Sequence, residues 1–259
     1  APGPGGRPRP APPPRPAGKV IFGGSQREAD ALRVREVAAP LGGFVLDWTR
    51  DADALVQFTA AAFEYPRSDL PESVVFAGPL PAPASGAPLP EWWSDLDGSR
   101  PIVHVTQGTI ANSDFGQLVL PTIESLAASG SLVVVSTGGR PRTDLPAELP
   151  ANVRVAEYLP YDRLLPLVDV MVTNGGYGGV QQALSHGVPL VVAGQTEDKV
   201  EVSARVGWSG AGINLKSNRP TPAQVSSAVH RILQEPSYRL RAGELARELN
   251  ATSGLDGLD

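Results

Sequence analysis

Residues 170–199, VMVTNGGYGGVQQALSHGVPLVVAGQTEDK, carry the residue types and spacing in this chain that most clearly suggest chemistry. Gly175, Gly176, Gly178 and Gly179 crowd the stretch between Asn174 and Val180. Glycine lets a backbone approach a ligand closely, and a helix start offers unpaired N–H groups with a partial positive charge, so a glycine-rich turn leading into a helix can hold a phosphate. The same glycines could serve tight packing alone, and the turn by itself leaves both readings open. Positioning the turn requires a strand before it, the apolar run Val168–Val172, and a helix after it, Val180–His186. Gly187 sits where a helix stop belongs, and Val188–Ala193 reads as a second buried strand. Two such strands joined by a crossover helix make a parallel βαβ unit, whose ligands sit at the carboxyl ends of the strands. The loop 194–199 reaches that same edge.

Composition narrows the rest. The chain has 259 residues, enough for one large domain or two small ones. Its net charge of −5 argues against a nucleic-acid partner. The absence of cysteine excludes disulfides and thiolate sites. No paired histidines or clustered carboxylates stand at metal-ligand spacing, so no metal is expected. No apolar run reaches the roughly 18–20 residues that span a bilayer, and no signal-peptide pattern opens the sequence, so a cytoplasmic location is expected.

Along the chain, residues 1–18 are rich in Pro, Gly, Ala and Arg and read as a disordered or polyproline-like segment. Residues 19–63 offer sparse elements: a candidate strand Lys19–Phe22, a helix Ser25–Val37, and brief strands Phe44–Trp48 and Leu55–Thr59. They read as part of a domain. Prolines throughout 64–98 forbid long regular elements and mark a linker, with Trp92 and Trp93 as an anchor onto the next domain. From 99 to 259 strands and helices alternate. Ile102–Thr106, Leu132–Ser136, Val153–Val155 and Gly212–Leu215 join the two strands of the βαβ unit. The helices are Leu118–Ala128, Arg163–Leu167 with Asp162 as a cap, one from Thr221-Pro222 to about Leu233, and Tyr238–Leu249. This is an α/β, Rossmann-like doubly wound parallel sheet.

As an ordered set these segments resemble a family. VTNGGYGGVQQALSHGVPLVV followed by TEDK is similar to the nucleotide-sugar motif of inverting glycosyltransferases that act on macrolides, aromatic polyketides and other small lipophilic acceptors. HVTQGT, VAEYLPYDRLLPLVDVMVTNGG and EYPRSDLPESVVFAGPL resemble their first donor-domain strand and turn, their base-binding loop and their interdomain linker. The resemblance covers about residues 40–250. It implies the two-Rossmann (GT-B) architecture, in which an N-terminal domain binds the acceptor and a C-terminal domain binds a UDP- or TDP-sugar. It also implies no cofactor beyond that co-substrate. By resemblance, Gly108, Thr109, Asn174, Gly175, Gly176, Gly178 and Gly179 would meet the diphosphate. Tyr158, Leu159 and Pro160 would hold the base, Gln182 the ribose, and Asp198 and Lys199 the sugar.

The departures carry information too. Asn174, Gln182 and Lys199 stand where the family often has His, Glu and Gln. Asn174 could still donate to a phosphate oxygen, and neutral Gln182 would grip a hydroxyl more weakly than a carboxylate. The family's catalytic base is a His of the acceptor domain. The three histidines here match no such position: His104 lies in a strand as a packed residue, His186 at a helix end, and His230 on a late helix. Residues ahead of the donor domain amount to roughly half of an acceptor domain. The expectation is a glycosyltransferase with much of that half missing and with apolar surface available for self-association. The alternatives are a nucleotide-sugar-binding fragment without transfer, and a sugar-nucleotide epimerase.

Overall fold

The structure, a computed structural model, describes residues 20–37, 39–40, 43–45, 52–68, 70–80 and 88–252. These residues fall into two units: residues up to Gln57 together with Pro66–Phe76, and Phe58–Tyr65 together with Ala77 onward.

The smaller unit contains helix α1 (Gly23–Val37) and two three-residue strands, β1 (Leu55–Gln57) and β2 (Val74–Phe76), paired in parallel with Leu55 opposite Val74. The strand expected at Lys19–Phe22 is corrected here. Val20 and Ile21 are helical, and the Phe22 carbonyl accepts from the Gln26 N–H at 2.9 Å. Phe22 itself is a turn leading into α1, so this short apolar run satisfies its backbone by local helical bonds. Phe44 and Val45 are not in a strand either; the Val45 N–H donates to Gln26 Oε1 at 2.7 Å. Lys19, Leu46, Asp47 and Trp48 lie outside the described residues, as do 1–18.

The larger unit is built on a six-stranded, all-parallel sheet. Its strands are β3 (Ile102–Thr106), β4 (Leu132–Ser136), β5 (Val153–Ala156), β6 (Val170–Thr173), β7 (Leu190–Val192) and β8 (Gly212–Asn214). Their spatial order is β5-β4-β3-β6-β7-β8. That is the doubly wound order expected from the alternating elements, and it reverses direction between β3 and β6. The Val/Ile/Leu runs have the reason anticipated for them: β3, β4, β6 and β7 are buried along their whole length.

Two cores cover the two faces. Val103, Val105, Val133, Val135 and Val172 point to one face, where they meet α2 (Val119–Leu126) and α6 (Pro222–Gln234). Ile102, Val134, Met171 and Val192 point to the other, under α4 (Tyr177–Ser185), α5 (Lys199–Ser209) and α7 (Pro236–Asn250). The segment Phe58–Tyr65 packs on this second face. Phe63 is fully buried there, Glu64 pairs with Arg205 at 2.6 Å, and Thr59 Oγ1 accepts from Gln181 Nε2 at 3.1 Å. Trp92 joins the same core and donates its indole N–H to the Val155 carbonyl at 3.3 Å, as an anchor should.

Local capping signals differ in outcome. Thr221 caps α6 in a reciprocal pair with Gln224, and Pro222 takes the first position. The α4 stop is Gly187, at φ 68. Asp162, expected as a cap, instead lies inside the one-turn helix α3 (Tyr161–Leu164), which starts directly after Pro160. Proline at the cap position already sets the entry backbone there. Among the described residues no helix is long and apolar enough to cross a membrane.

β8 needs a residue without a side chain. A Cβ on Gly212 would lie 2.2 Å from the Leu190 carbonyl oxygen and 2.6 Å from Val206 Cγ1. Gly212→Ala should therefore cost about 1–3 kcal/mol in urea unfolding, whereas a loss under about 0.5 kcal/mol would show that the β7–β8 edge yields freely.

Candidate functional site

The sheet reverses order between β3 and β6, and the turns that succeed those two strands diverge at its carboxyl edge. A cavity of about 330 Å³ opens there. Gly108 and Thr109 of the first turn form one wall, with Gly138 of the turn after β4. Asn174, Gly176, Gly178, Gly179 and Gln182 form the facing wall, from the turn after β6 and the start of α4. Glu157, Tyr158 and Leu159 close the end beyond β5. Thr106, Ser136, Tyr161, Met171 and Thr173 make the floor.

The fold therefore brings nine of the expected site residues to one cavity. Gly175, Pro160, Asp198 and Lys199 do not line it. Gly175 is buried behind the turn at φ 84, and a Cβ on it would lie 2.7 Å from Ser203 Oγ. Pro160 is buried beside the loop after β5, its carbonyl accepting from Arg163 and Leu164. Asp198 is exposed at the start of α5. Lys199 is buried, and its ammonium pairs with Glu197.

The donors that α4 offers are set by its first turn. The first N–H to find a helical partner is that of Val180, donating to the Gly176 carbonyl at 3.1 Å. The N–H groups of Tyr177, Gly178 and Gly179 precede it, and no side chain caps the helix. Helix α2 starts at the same edge but is closed: Gln107 Oε1 accepts from Leu118 and Val119 at 3.2 and 3.1 Å. The N–H groups of Gly178 and Gly179, on the cavity wall, thus lie at the uncapped positive end of α4.

The glycines of this turn divide by what surrounds them. A Cβ on Gly178 would meet nothing within 4 Å, and one on Gly176 only Asn174 Oδ1 at 3.9 Å. Neither has a left-handed backbone. The protein itself therefore has room for side chains at both positions, and the space they would fill is the cavity. Gly138 differs: it is at φ 64, and a Cβ there would lie 2.0 Å from the Gly108 carbonyl oxygen.

Side-chain amides lock the turns. Asn112 Nδ2 donates to the carbonyls of Gly108, Thr137 and Gly138 at 2.9, 3.1 and 3.3 Å. Asn174 Nδ2 donates to the Gln107 carbonyl at 2.6 Å and the Ala111 carbonyl at 3.3 Å. The Asn174 N–H groups are thus directed at the first turn, and its Oδ1 is the group left for the cavity. The Gly108 N–H is also directed inward, to Thr106 Oγ1 at 3.1 Å.

Beneath the floor lies His104, fully buried in β3. Its Nδ1 faces the Val134 carbonyl at 2.9 Å and its Nε2 the Tyr161 hydroxyl at 3.0 Å. Burial pushes the imidazole pKa down to about 4, so it is neutral near pH 7. Burial likewise raises the Tyr161 phenol, against hydrogen bonds from Ser136 and Thr106 that lower it. The packed role expected of His104 is the one it has. His186 bonds the Gln182 carbonyl at a helix end, and His230 is exposed on α6.

Thr106, Ser136, Thr173, Tyr161, Met171, Gly138 and Glu157 line the cavity without having been expected from sequence. A signal existed for four of them. Three strands end in a hydroxyl residue followed within three positions by glycine: Thr106-Gln107-Gly108, Ser136-Thr137-Gly138 and Thr173-Asn174-Gly175. A repeated strand–hydroxyl–glycine ending marks three strand ends converging on one cavity. Among the described residues no group of three His, Cys, Asp or Glu side chains could hold a metal ion.

The chain is similar to known proteins in sequence and in fold. A family profile described as erythromycin biosynthesis protein CIII-like, C-terminal domain, matches residues 121–254. The chain is 48% identical over 249 residues to 4'-demethylrebeccamycin synthase of Lentzea aerocolonigenes, covering 93% of this chain and 57% of that one. It is 42% identical over 217 residues to UDP-glycosyltransferase 2 of Phaeomoniella chlamydospora, covering 80% and 47%. The chain thus spans about half the length of these curated relatives. The crystal structure of the glycotransferase of kitacinnamycin shares the fold, with a TM-score of 0.80 at 23% identity over 94% of this chain and 64% of that one.

His104 makes stability depend on pH in a defined direction. Its folded pKa of about 4 lies below the ordinary 6.5, so the unfolded chain binds the extra proton. Stability is full above about pH 6.5 and falls by ~3 kcal/mol as pH drops toward 4. His104→Gln should remove most of that slope in urea titrations at pH 7 and pH 4.5. An unchanged slope would place the titrating group elsewhere.

Proposed function

The chain belongs to the erythromycin biosynthesis protein CIII-like C-terminal domain family, and from that membership we propose that its cavity binds the diphosphate end of a UDP- or TDP-sugar. The whole protein would transfer that sugar, with inversion, to a hydroxyl of a small lipophilic natural product. The observation that carries this is the α4 start. The α4 start leaves the N–H groups of Gly178 and Gly179, both on the cavity wall, without helical partners, and that wall has room for side chains that the fold does not need to exclude. A phosphate fills that space and takes those donors.

In this reading residues 99–259 are the donor-binding portion. Tyr177, Gly178, Gly179 and Thr109 supply backbone N–H groups to the diphosphate, and Gln182 reaches the ribose. Tyr158 and Leu159 hold the base. The Tyr158 ring is free to do so because Gly139 gives it room: a Cβ there would lie 2.0 Å from the phenol oxygen. Asp198, exposed on the loop beyond the cavity, is the acid available to sugar hydroxyls. Lys199, paired with Glu197, orients that loop.

Transfer breaks the bond from the anomeric carbon to the β-phosphate oxygen while an acceptor oxygen attacks from the opposite face. The leaving diphosphate keeps the electron pair, and N–H groups aimed at it stabilise the developing charge. The acceptor proton needs a base, and none of the three histidines lines the cavity. This site accordingly supplies the donor half of the reaction.

Titration calorimetry with UDP and TDP tests the proposal, and Gly178→Ala sharpens it. Alanine in the first turn of α4 should raise unfolding stability by about 0.5–1 kcal/mol. The same methyl occupies the phosphate's place, so affinity for either nucleotide should fall at least tenfold, ~1.4 kcal/mol. A variant that is more stable and binds equally well would overturn the placement of the diphosphate.

A further inference from the structure

The start of α4 offers a single side chain by which it can be held. From Gly175 to Gly179 every residue but Tyr177 is glycine, and no side chain caps the helix. Glycine leaves a backbone its widest freedom, so such a run keeps a fixed shape only where something outside it supplies the constraint. Gly178 and Gly179 lie on the cavity wall. Tyr177 instead packs, half-buried, against the core on the second face of the sheet. Its hydroxyl donates to Glu64 Oε1 at 3.4 Å.

Glu64 is fixed in turn. Its Oε2 pairs with Arg205 Nε of α5 at 2.6 Å. The Arg205 guanidinium also lies 4.9 Å from the centroid of the Tyr65 ring, and that ring meets Trp208 edge-on at 5.0 Å. Side-chain exposure is 19% at Glu64 and 23% at Arg205, so salt screens this pair less than one on the open surface. A second tie lies one turn along the helix. Gln181, four residues after Tyr177 and so on the same face of α4, donates from Nε2 to Thr59 Oγ1 at 3.1 Å. Phe63, between Thr59 and Glu64 in the chain, is fully buried. The segment Phe58–Tyr65 thus grips α4 on a face other than the one that lines the cavity with Gly178, Gly179 and Gln182.

We propose that Glu64 is a positioning residue for the anion site: through the Tyr177 hydroxyl it holds the glycine-rich start of α4, and with it the Gly178 and Gly179 N–H groups, where a diphosphate needs them. The anchoring stands on the free protein alone, and its purpose rests on the nucleotide-sugar reading. The donor-binding portion then extends beyond residues 99–259 to take in Phe58–Tyr65.

Hydrogen exchange tests the anchor without a ligand. The Val180 amide makes the first helical bond of α4, to the Gly176 carbonyl, and the Val225 amide makes the corresponding bond of α6, to the Thr221 carbonyl, at a helix start that has its own side-chain cap. Tyr177→Phe and Glu64→Ala should each speed Val180 exchange about tenfold and leave Val225 unchanged. Unaltered exchange at Val180 overturns the anchor, and so does a rise that Val225 shares. Titration calorimetry with UDP tests the purpose. Glu64→Ala and Tyr177→Phe should each weaken UDP about fivefold, and the double variant should bind no more weakly than either, because both cut one link. Glu64→Gln should stay within about twofold of wild type, since an amide pairs with a phenol through either end. Losses that add in the double variant, a Glu64→Gln as weak as Glu64→Ala, or single variants that bind as the wild type does overturn the role of Glu64 while leaving the nucleotide site intact. If the wild-type chain binds neither UDP nor TDP, the nucleotide-sugar reading itself fails and this role falls with it.

Discussion

The site depends on one amide. Asn174 Nδ2, 2.6 Å from the Gln107 carbonyl, ties the turn after β6 to the turn after β3 across the point where the sheet reverses order. Helices diverge at such a point, which is why it opens a crevice and why something must hold its two lips in register. Gln107 is itself fixed, since its side chain accepts from Leu118 and Val119 and donates to the Asp114 carbonyl at 3.0 Å. One residue thus closes the start of α2 with its side chain and receives α4's turn with its backbone. Rotating the Asn174 amide would set Oδ1 against two carbonyls, so the donor direction is settled by chemistry. In the nucleotide-sugar reading, Asn174 would therefore shape the diphosphate site and leave the donating to the backbone of α4.

The glycines show how the fold and the ligand divide the demands on one residue type. Gly194 is excluded from substitution by its neighbour, as a Cβ would lie 2.0 Å from the Asn174 carbonyl oxygen. Gly138 and Gly175 combine left-handed backbones with crowded surroundings. These positions are glycine because the chain passes another part of itself too closely. Gly176 and Gly178 are under no such pressure. Glycine in a helix start costs backbone entropy that alanine would not, and no contact within the protein repays it. Gly176 is the N-cap of α4, where glycine is favoured over alanine, and at Gly178 the nucleotide-sugar reading supplies the reason, a phosphate in the space a side chain would take.

The strands and the glycine turn were legible because their signals are local. Val133-Val134-Val135 and Val170-Met171-Val172 have too little polarity to face water on either side, and that alone implies a sheet covered twice. Val20–Phe22 misled because a short apolar run carries no period, and the helix beside it decided the outcome. Tyr161 was out of reach for a different reason. Its partner His104 is 57 residues away, and nothing in YLPYDRLL says that the second tyrosine turns inward while Tyr158 remains exposed. Lys199 shows the same limit: a charge near a candidate sugar site reads as available, whereas the fold buries it and pairs it with Glu197, held at φ 53.

No lysine or arginine lines the cavity, although the proposed ligand is a dianion. The one acid on its wall, Glu157, makes the contrast sharper. Attraction must then come from oriented backbone dipoles, whose effect fades within a turn of the helix end and depends on the anion sitting directly against the N–H groups. A lysine tolerates an ångström of misplacement because its charge acts over distance and its side chain tracks the ligand. Fixed N–H groups do neither. A site of this kind has to be rigid before the ligand arrives, and its rigidity is visible in parts that never touch the cavity. Asn112 spans three carbonyls, Gln107 closes α2, and His104 is held neutral between a carbonyl and a phenol. In the nucleotide-sugar reading, the buried polar network would hold the N–H groups in place for the anion. In that reading it would substitute geometry for charge, in a cavity whose lining holds no lysine or arginine.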